Sequence, residues 1–146
     1  MRTLAVDLGT RRVGLALSDE GGRFATPFEV LTVSDPVSAA DAVLKVIERE
    51  GVERLVVGLP LNMDDSVGPA ARQAVAWGRD LSAKCGKPVV FVDERLSSYA
   101  AEGRLIEHKR GGQRMTRGDK KKRLDAHAAA VFLQEFLDGT IGAIEI

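Results

Sequence analysis

The stretch LAVDLGTRRVGLALSD, residues 4–19, runs apolar into an aspartate, turns through Gly-Thr-Arg-Arg and resumes as a second apolar run. Aliphatic and β-branched residues in TLAVD (3–7) and VGLALSD (13–19), on either side of that turn, predict a β-hairpin. Gly21-Gly22 supplies the next turn. FATPFEVLTV (24–33) reads as a third strand, in which Pro27, unable to donate to a ladder, predicts an edge or a bulge. Three antiparallel strands therefore open the chain. Asp7 is the anomaly, a charge that closes a strand otherwise suited to burial.

Beyond the hairpins the pattern alternates. Asp35-Pro36 predicts a helix start, with an acid at the N-cap and proline where its missing N–H costs nothing. Ala39, Val43, Val46 and Ile47 recur at helical spacing and Gly51 is placed to end the helix. ERLVVGLP (53–60) is a continuous apolar strand bounded by Gly58 and Pro60, a pattern that predicts burial on both faces. After the loop LNMDDSVGP (61–69), a second helix turns Ala71, Ala74, Val75 and Leu81 inward and closes near Gly86. VVFVDE (89–94) is another short strand ending in acids, and Ser97 or Ser98 caps a third helix reaching to about Glu107. An alanine-rich helix from about Asp119 to Leu137 completes the pattern. The expected class is α/β: a mixed sheet of three antiparallel strands followed by two parallel strands, with helices on both faces.

A chain of 146 residues, 45% hydrophobic and 29% charged, fits one globular domain with a real core. No apolar run approaches the ~20 residues of a membrane helix, and the N-terminus lacks a signal-peptide pattern, so a cytoplasmic protein with no membrane partner is expected. Cys85 is the sole cysteine and can form neither an internal disulfide nor a thiolate metal cluster. The formal net charge of zero hides an uneven distribution. Residues 104–123 carry nine Lys or Arg against Glu107 and Asp119, a net charge of +7 that leaves −7 on the remainder. Such a stripe is either a solvated loop or the electrostatic footprint of a polyanion.

Open sheets of this class place their sites at the carboxyl ends of parallel strands, and the acids fall there. Asp7 ends the first strand and the pair Asp93-Glu94 ends the last. Asp125 precedes Ala129, Phe132 and Phe136 by 4, 7 and 11 residues, which puts it on the apolar stripe of the final helix. Each acid alone has an ordinary reading: Asp7 as the start of a turn, Asp93 or Glu94 as a helix cap, Asp125 as the partner of a neighbouring lysine. Together, without His or Cys neighbours, they suit a hard cation such as Mg2+ or Mn2+. Carboxylate-held metal could activate water against a phosphodiester. Lys120, Lys121, Lys122 and Arg123, immediately before Asp125, would lead a polyanion to the site, and Arg11 and Arg12 in the first turn are candidate backbone contacts. His127 reads as a packing or surface residue, Trp77 and Tyr99 as core or boundary residues, and His108, in the basic loop, has no assigned role.

Four blocks, VDLGTRRVGLALSD (6–19), VVGLPLNMDDS (56–66), FVDERLSS (91–98) and KKKRLDAHAAAVFL (120–133), resemble in this order the YqgF (RuvX) family. These are pre-16S rRNA nucleases related to Holliday-junction resolvases in the RNase H-like superfamily. The resemblance implies an RNase H-like nuclease domain over 1–138 with a tail at 139–146. It implies a metal-dependent phosphodiester hydrolase with Asp7, Glu94 and Asp125 as catalytic metal ligands, and Asn62 and Arg95 as substrate contacts. Asp93 stands as the alternative to Glu94. Asp65 departs from the glycine expected after Asn-Met-Asp, which changes the turn of that loop.

The implied role is processing of the 5′ end of precursor 16S rRNA in ribosome biogenesis, with precursor rRNA and ribosomal particles as partners. Two alternatives are a resolvase acting on branched DNA, expected as a homodimer rather than a monomer, and a non-catalytic ribosome-associated RNA-binding protein. A nucleotide-binding module of an actin-like ATPase shares the Asp-x-Gly-Thr motif but needs a second domain for which this chain has no length.

Overall fold

A computed structural model describes residues 1–9, 11–33, 36–62, 64, 66–94 and 117–144; at 36–37 and 117–125 it describes helix backbone without side chains. The elements are β1 (Thr3–Leu8), β2 (Arg12–Ser18), β3 (Ala25–Thr32), α1 (Pro36–Glu50), β4 (Arg54–Leu59), α2 (Pro69–Cys85), β5 (Val89–Asp93) and α3 (Arg117–Leu137). The strands form one sheet in the order β3-β2-β1-β4-β5. β1 pairs antiparallel with β2, β2 antiparallel with β3, and β4 runs parallel to both β1 and β5. The mixed sheet expected from the sequence is present, with β1 at its centre. The predicted helix over 97–107, the basic residues 104–116 and the N-cap Asp35 lie outside the described residues.

The first turn is tighter than the sequence suggested, because Arg12 already belongs to β2. Gly9 donates its N–H to the Arg12 carbonyl at 2.9 Å, and a Cβ at Gly9 would stand 2.7 Å from that oxygen, so a side chain there would force the reversal open. At Pro27 both expected outcomes occur. β3 is the sheet's edge, and the register slips there: Leu15 pairs with Glu29 but Ala16 with Pro27, leaving Phe28 as the extra residue of a bulge.

Among the described residues the apolar side chains divide into two clusters, one on each face of the sheet. Leu4, Val6, Leu15, Leu55, Val57, Leu59 and Phe91 face α1 and α2, which contribute Ala39, Val43, Val46, Ile47, Ala74, Val75, Trp77 and Leu81. Ala5, Ala16, Val56 and Val92 face α3, which contributes Ala129, Ala130, Phe132 and Leu133. Strand alternation produces this division, since successive residues point to opposite faces. β4 is buried on both faces, as its continuous apolar pattern predicts. Gly58, however, lies inside β4 and does not bound it.

Gly51 ends α1 with φ +65°, and the Val52 N–H returns to the Ile47 carbonyl at 3.0 Å. At the same end of the sheet α3 is clamped to the β2–β3 hairpin by Gln134. Its Oε1 accepts from the Ala25 N–H at 2.9 Å and its Nε2 donates to the Arg23 carbonyl at 2.8 Å. After α3, Ile141 enters the α3-side cluster, and Ile144 makes an antiparallel bridge to Phe91, its N–H donating at 2.7 Å. This bridge covers part of the exposed edge of β5. Among the described residues no helix is long and apolar enough to cross a membrane.

Candidate active site

Alternation along β1 decides which way Asp7 points. Val6 belongs to the α1/α2 cluster and Ala5 to the α3 cluster, so Asp7 shares the α3 face at the carboxyl end of the central strand. The same reasoning separates the two acids at the end of β5. Asp93 pairs with Leu59, which faces α1 and α2, whereas Val92 pairs with Gly58 and faces α3. Glu94, two residues beyond Val92, therefore comes to the face of Asp7, and Asp93 is buried on the other. Of the two acids, Glu94 is the one that shares the face of Asp7.

Asp7 and Glu94 are joined by a side-chain hydrogen bond. Their strands are not neighbours: β4 lies between, so the two backbones are separated by two strand spacings, about 10 Å. Glu94 spans that gap over Gly58. A Cβ at Gly58 would lie 3.1 Å from Glu94 Oε2 and 3.1 Å from Cε2 and Cζ of Phe132 on α3. On the other side of Asp7, its partner in β2 is Gly14. Asp7 thus sits in a lane with glycines on both flanking strands. Sequence reasoning took Gly58 for a strand boundary; a glycine inside an apolar strand is itself the signal of a close approach.

Burial is the main influence that raises the Glu94 carboxyl above its ordinary value of 4.5; the hydrogen bond to Asp7 acts in the opposite direction, and the charge of Asp93 adds to the rise. Two ionised carboxylates about 4 Å apart repel by about 4 kcal/mol at an effective dielectric constant near 20. One ordinary hydrogen bond contributes about 1 kcal/mol, so the pair requires a proton or a cation between its members. Oxygen donors without nitrogen or sulphur fit a hard divalent ion. Among the described residues no group of three His, Cys, Asp or Glu forms. Asp125, the expected third ligand, lies on α3 one turn before the buried Ala129, and its side chain is outside the described residues.

Of the expected substrate contacts, Arg11 is exposed at the hairpin that follows Asp7, where its carbonyl accepts from the Val33 N–H at 2.9 Å. Arg12 alternates with Val13 onto the face of Asp7. Asn62 follows β4 at the same end of the sheet, exposed in a loop closed by its own bonds. Its N–H donates to the Ser66 carbonyl and its Nδ2 to Ser66 Oγ, both at 3.0 Å, and the Ser66 N–H donates to Asp64 Oδ1, also at 3.0 Å. Asp65, Arg95, Tyr99 and His108, and the side chains of Lys120 and Lys121, lie outside the described residues. His127 is on the exposed side of α3, and Trp77 is a buried member of the core on the α1/α2 face, both as expected. Cys85 is a free thiol.

A family model described as RuvX, Holliday junction resolvase, matches residues 1–139. A protein of Anaeromyxobacter dehalogenans named "Putative pre-16S rRNA nuclease" is 45% identical over 138 residues, 94% of this chain and 97% of its own length. One of the same name from Acidiphilium cryptum is 41% identical over 137 residues, 94% of this chain and 84% of its own. The solved structure of Thermus thermophilus RuvC superposes with a TM-score of 0.60 over 99% of this chain and 100% of its own; at 18% identity it speaks for the fold alone, which is the RNase H-like one expected. With a family model spanning nearly its whole length and relatives above 40% identity, the chain belongs to the RuvX family.

Proposed function

We propose that this protein is a divalent-cation-dependent endonuclease that hydrolyses phosphodiester bonds in precursor 16S rRNA, with Asp7, Glu94 and Asp125 as the cation's ligands. The observation that carries this reading is the contact between Asp7 and Glu94, two carboxylates from non-adjacent strands brought together where their repulsion calls for a cation. The relatives' printed name supplies the substrate. A non-catalytic RNA-binding protein would have no use for such a pair. On this reading the protein works in the cytoplasm with ribosomal particles as partners.

Mg2+ or Mn2+, held by these carboxylates, would supply Lewis-acid chemistry for phosphodiester hydrolysis, lowering the pKa of water and offsetting negative charge. The chain's own part is positional. Asp7 is held by its ladder pair with Gly14 on β2, one residue past the last β1–β4 pair, and Glu94 reaches it over Gly58. Arg11, Arg12 and Asn62, at the same end of the sheet, are the contacts assigned to a phosphate backbone, and Lys120 and Lys121 join them on the ground of the sequence alone. Arg95 is assigned to substrate on the motif resemblance alone. Contacts of this kind fix register on a nucleic acid without reading its sequence.

The test incubates the full chain with a precursor 16S rRNA fragment and, in parallel, a four-way DNA junction, each with Mg2+, with Mn2+ and with chelator. Cleavage of the RNA that needs a divalent ion and falls about a hundredfold or more in Asp7→Asn and in Glu94→Gln is expected, since such an ion supplies several kcal/mol. Junction cleavage alone would transfer the reading to branched DNA, and equal activity in Asp7→Asn would refute the site.

A further inference from the structure

We propose that Gly58 is a positioning residue for the carboxylate pair: the missing side chain at this one point of β4 is the passage by which Glu94 reaches Asp7. The inference rests on the reading of that pair as a cation site. It adds a residue whose contribution is the absence of atoms.

Three observations converge on Gly58. β4 lies between the strand of Asp7 and the strand that ends at Glu94, so any side chain on its α3-facing surface at this level stands in the line joining the two acids. A Cβ at Gly58 would come within 3.1 Å of Glu94 Oε2, closer than ordinary van der Waals contact. The same Cβ would meet the Phe132 ring at 3.1 Å, and that ring is 1% exposed, held among Ala5, Val56, Val92 and Leu133. Phe132, packed in the core, can give by only a few tenths of an ångström. Glu94 sits at the end of its strand, partly exposed on a flexible side chain, so it is the neighbour that yields. An alanine at 58 therefore displaces the carboxylate while the core keeps its ring.

A purely structural role for Gly58 would give a different pattern, and Gly78 supplies the comparison. On α2, on the opposite face of the sheet, a Cβ at Gly78 would come 2.9 Å from Cε1 of the Phe91 ring and 3.3 Å from Val57 Cγ2. The steric conflict is similar and no carboxylate is involved.

The experiment uses the full chain as wild type, Gly58→Ala, Gly58→Ala with Phe132→Leu, Gly78→Ala and Asp7→Asn. Mn2+ affinity is read by electron paramagnetic resonance, folding by circular dichroism, and the Glu94–Asp7 contact by crystallography of the Gly58→Ala protein. Gly58→Ala is expected to fold, to lose the Glu94–Asp7 hydrogen bond and to bind Mn2+ about 10- to 100-fold more weakly, the range seen when groups that orient a ligand are removed. Phe132→Leu makes room on the ring side, so the double variant is expected to fold at least as well and to bind Mn2+ as weakly as Gly58→Ala. It also carries the measurement if Gly58→Ala alone is unfolded. Gly78→Ala is expected to lose stability and keep its Mn2+ affinity.

Retention of the hydrogen bond in Gly58→Ala overturns the proposal, as does wild-type Mn2+ affinity in that variant or full recovery of affinity on adding Phe132→Leu. If the wild type binds no Mn2+ in a manner that needs Asp7, the cation-site reading fails and the proposal falls with it. A Gly58→Ala protein that binds normally while Asp7→Asn does not leaves that reading standing and removes Gly58 from it.

Discussion

Glu94 meets Asp7 across an intervening strand, its carboxyl group passing over Gly58 to share a hydrogen bond with a residue on the central strand of the sheet. Burial, then the nearby Asp93, raise the Glu94 carboxyl above 4.5 even against that bond. A raised folded-state value means that the folded chain holds the proton more tightly than the unfolded one. The stability linked to it is complete below 4.5 and is lost as pH rises through the raised value. In chelator, Glu94→Gln should therefore be more stable than wild type near neutral pH and no more stable at about pH 4. Denaturant melts across that range check it, and a less stable Glu94→Gln at neutral pH would contradict it. Adding Mn2+ should raise the wild-type melting temperature and leave that of Glu94→Gln nearly unchanged.

The opposite faces of Asp93 and Glu94 separate their roles. Asp93→Asn should keep its requirement for a divalent ion and lose less than about tenfold in turnover, under about 1.4 kcal/mol of barrier. Glu94→Gln should lose that requirement along with the activity. Cleavage rates titrated against Mn2+ distinguish the two, and equal losses would return the assignment to an open choice.

Asp19 holds the β2–β3 turn, its Oδ1 accepting the N–H groups of Arg23 at 2.8 Å and Phe24 at 2.9 Å. These bonds, Phe24 first, hold its carboxyl below 3.8. A depressed value gives stability that is present above 3.8 and lost as pH falls through the folded value. Asp19→Ala should destabilise the protein at neutral pH, and the difference from wild type should shrink as pH is lowered below 3.8. Paired denaturant curves over that interval measure it.

Gln134 closes the hairpin onto α3 by accepting from the Ala25 N–H and donating to the Arg23 carbonyl. Removing both bonds in Gln134→Ala should cost about 1–2 kcal/mol in urea melts. Cleavage chemistry should be little changed, because the carboxylates lie at the other end of the sheet.

The sequence patterns identified the sheet because its strands are bounded by strong turn signals and its helices by capping residues. Pro27 announced an edge or a bulge, and both are present, while the unbroken apolar run at 54–59 announced burial on two faces. Asp7 was legible because a charge at the end of an apolar strand is costly unless it has a partner. The partner was harder to choose. Asp93 and Glu94 differ by one residue, and one residue in a strand is a change of face, which only the register of Leu59 with Asp93 resolves. Gly58 was misread for a related reason: its importance lies in which neighbour passes over it, and that depends on the strand order. Arg95, Lys120, Lys121 and the carboxylate of Asp125 rest on motif and spacing.

The central claim is that Asp7 and Glu94 together hold a divalent cation. Crystals of the full chain soaked in Mn2+ and measured near the manganese absorption edge test it directly. An anomalous peak within coordination distance of both carboxylates is the expected result; a protein that cleaves RNA in Mn2+ yet shows its ordered manganese elsewhere, or none beside Asp7, would contradict the account.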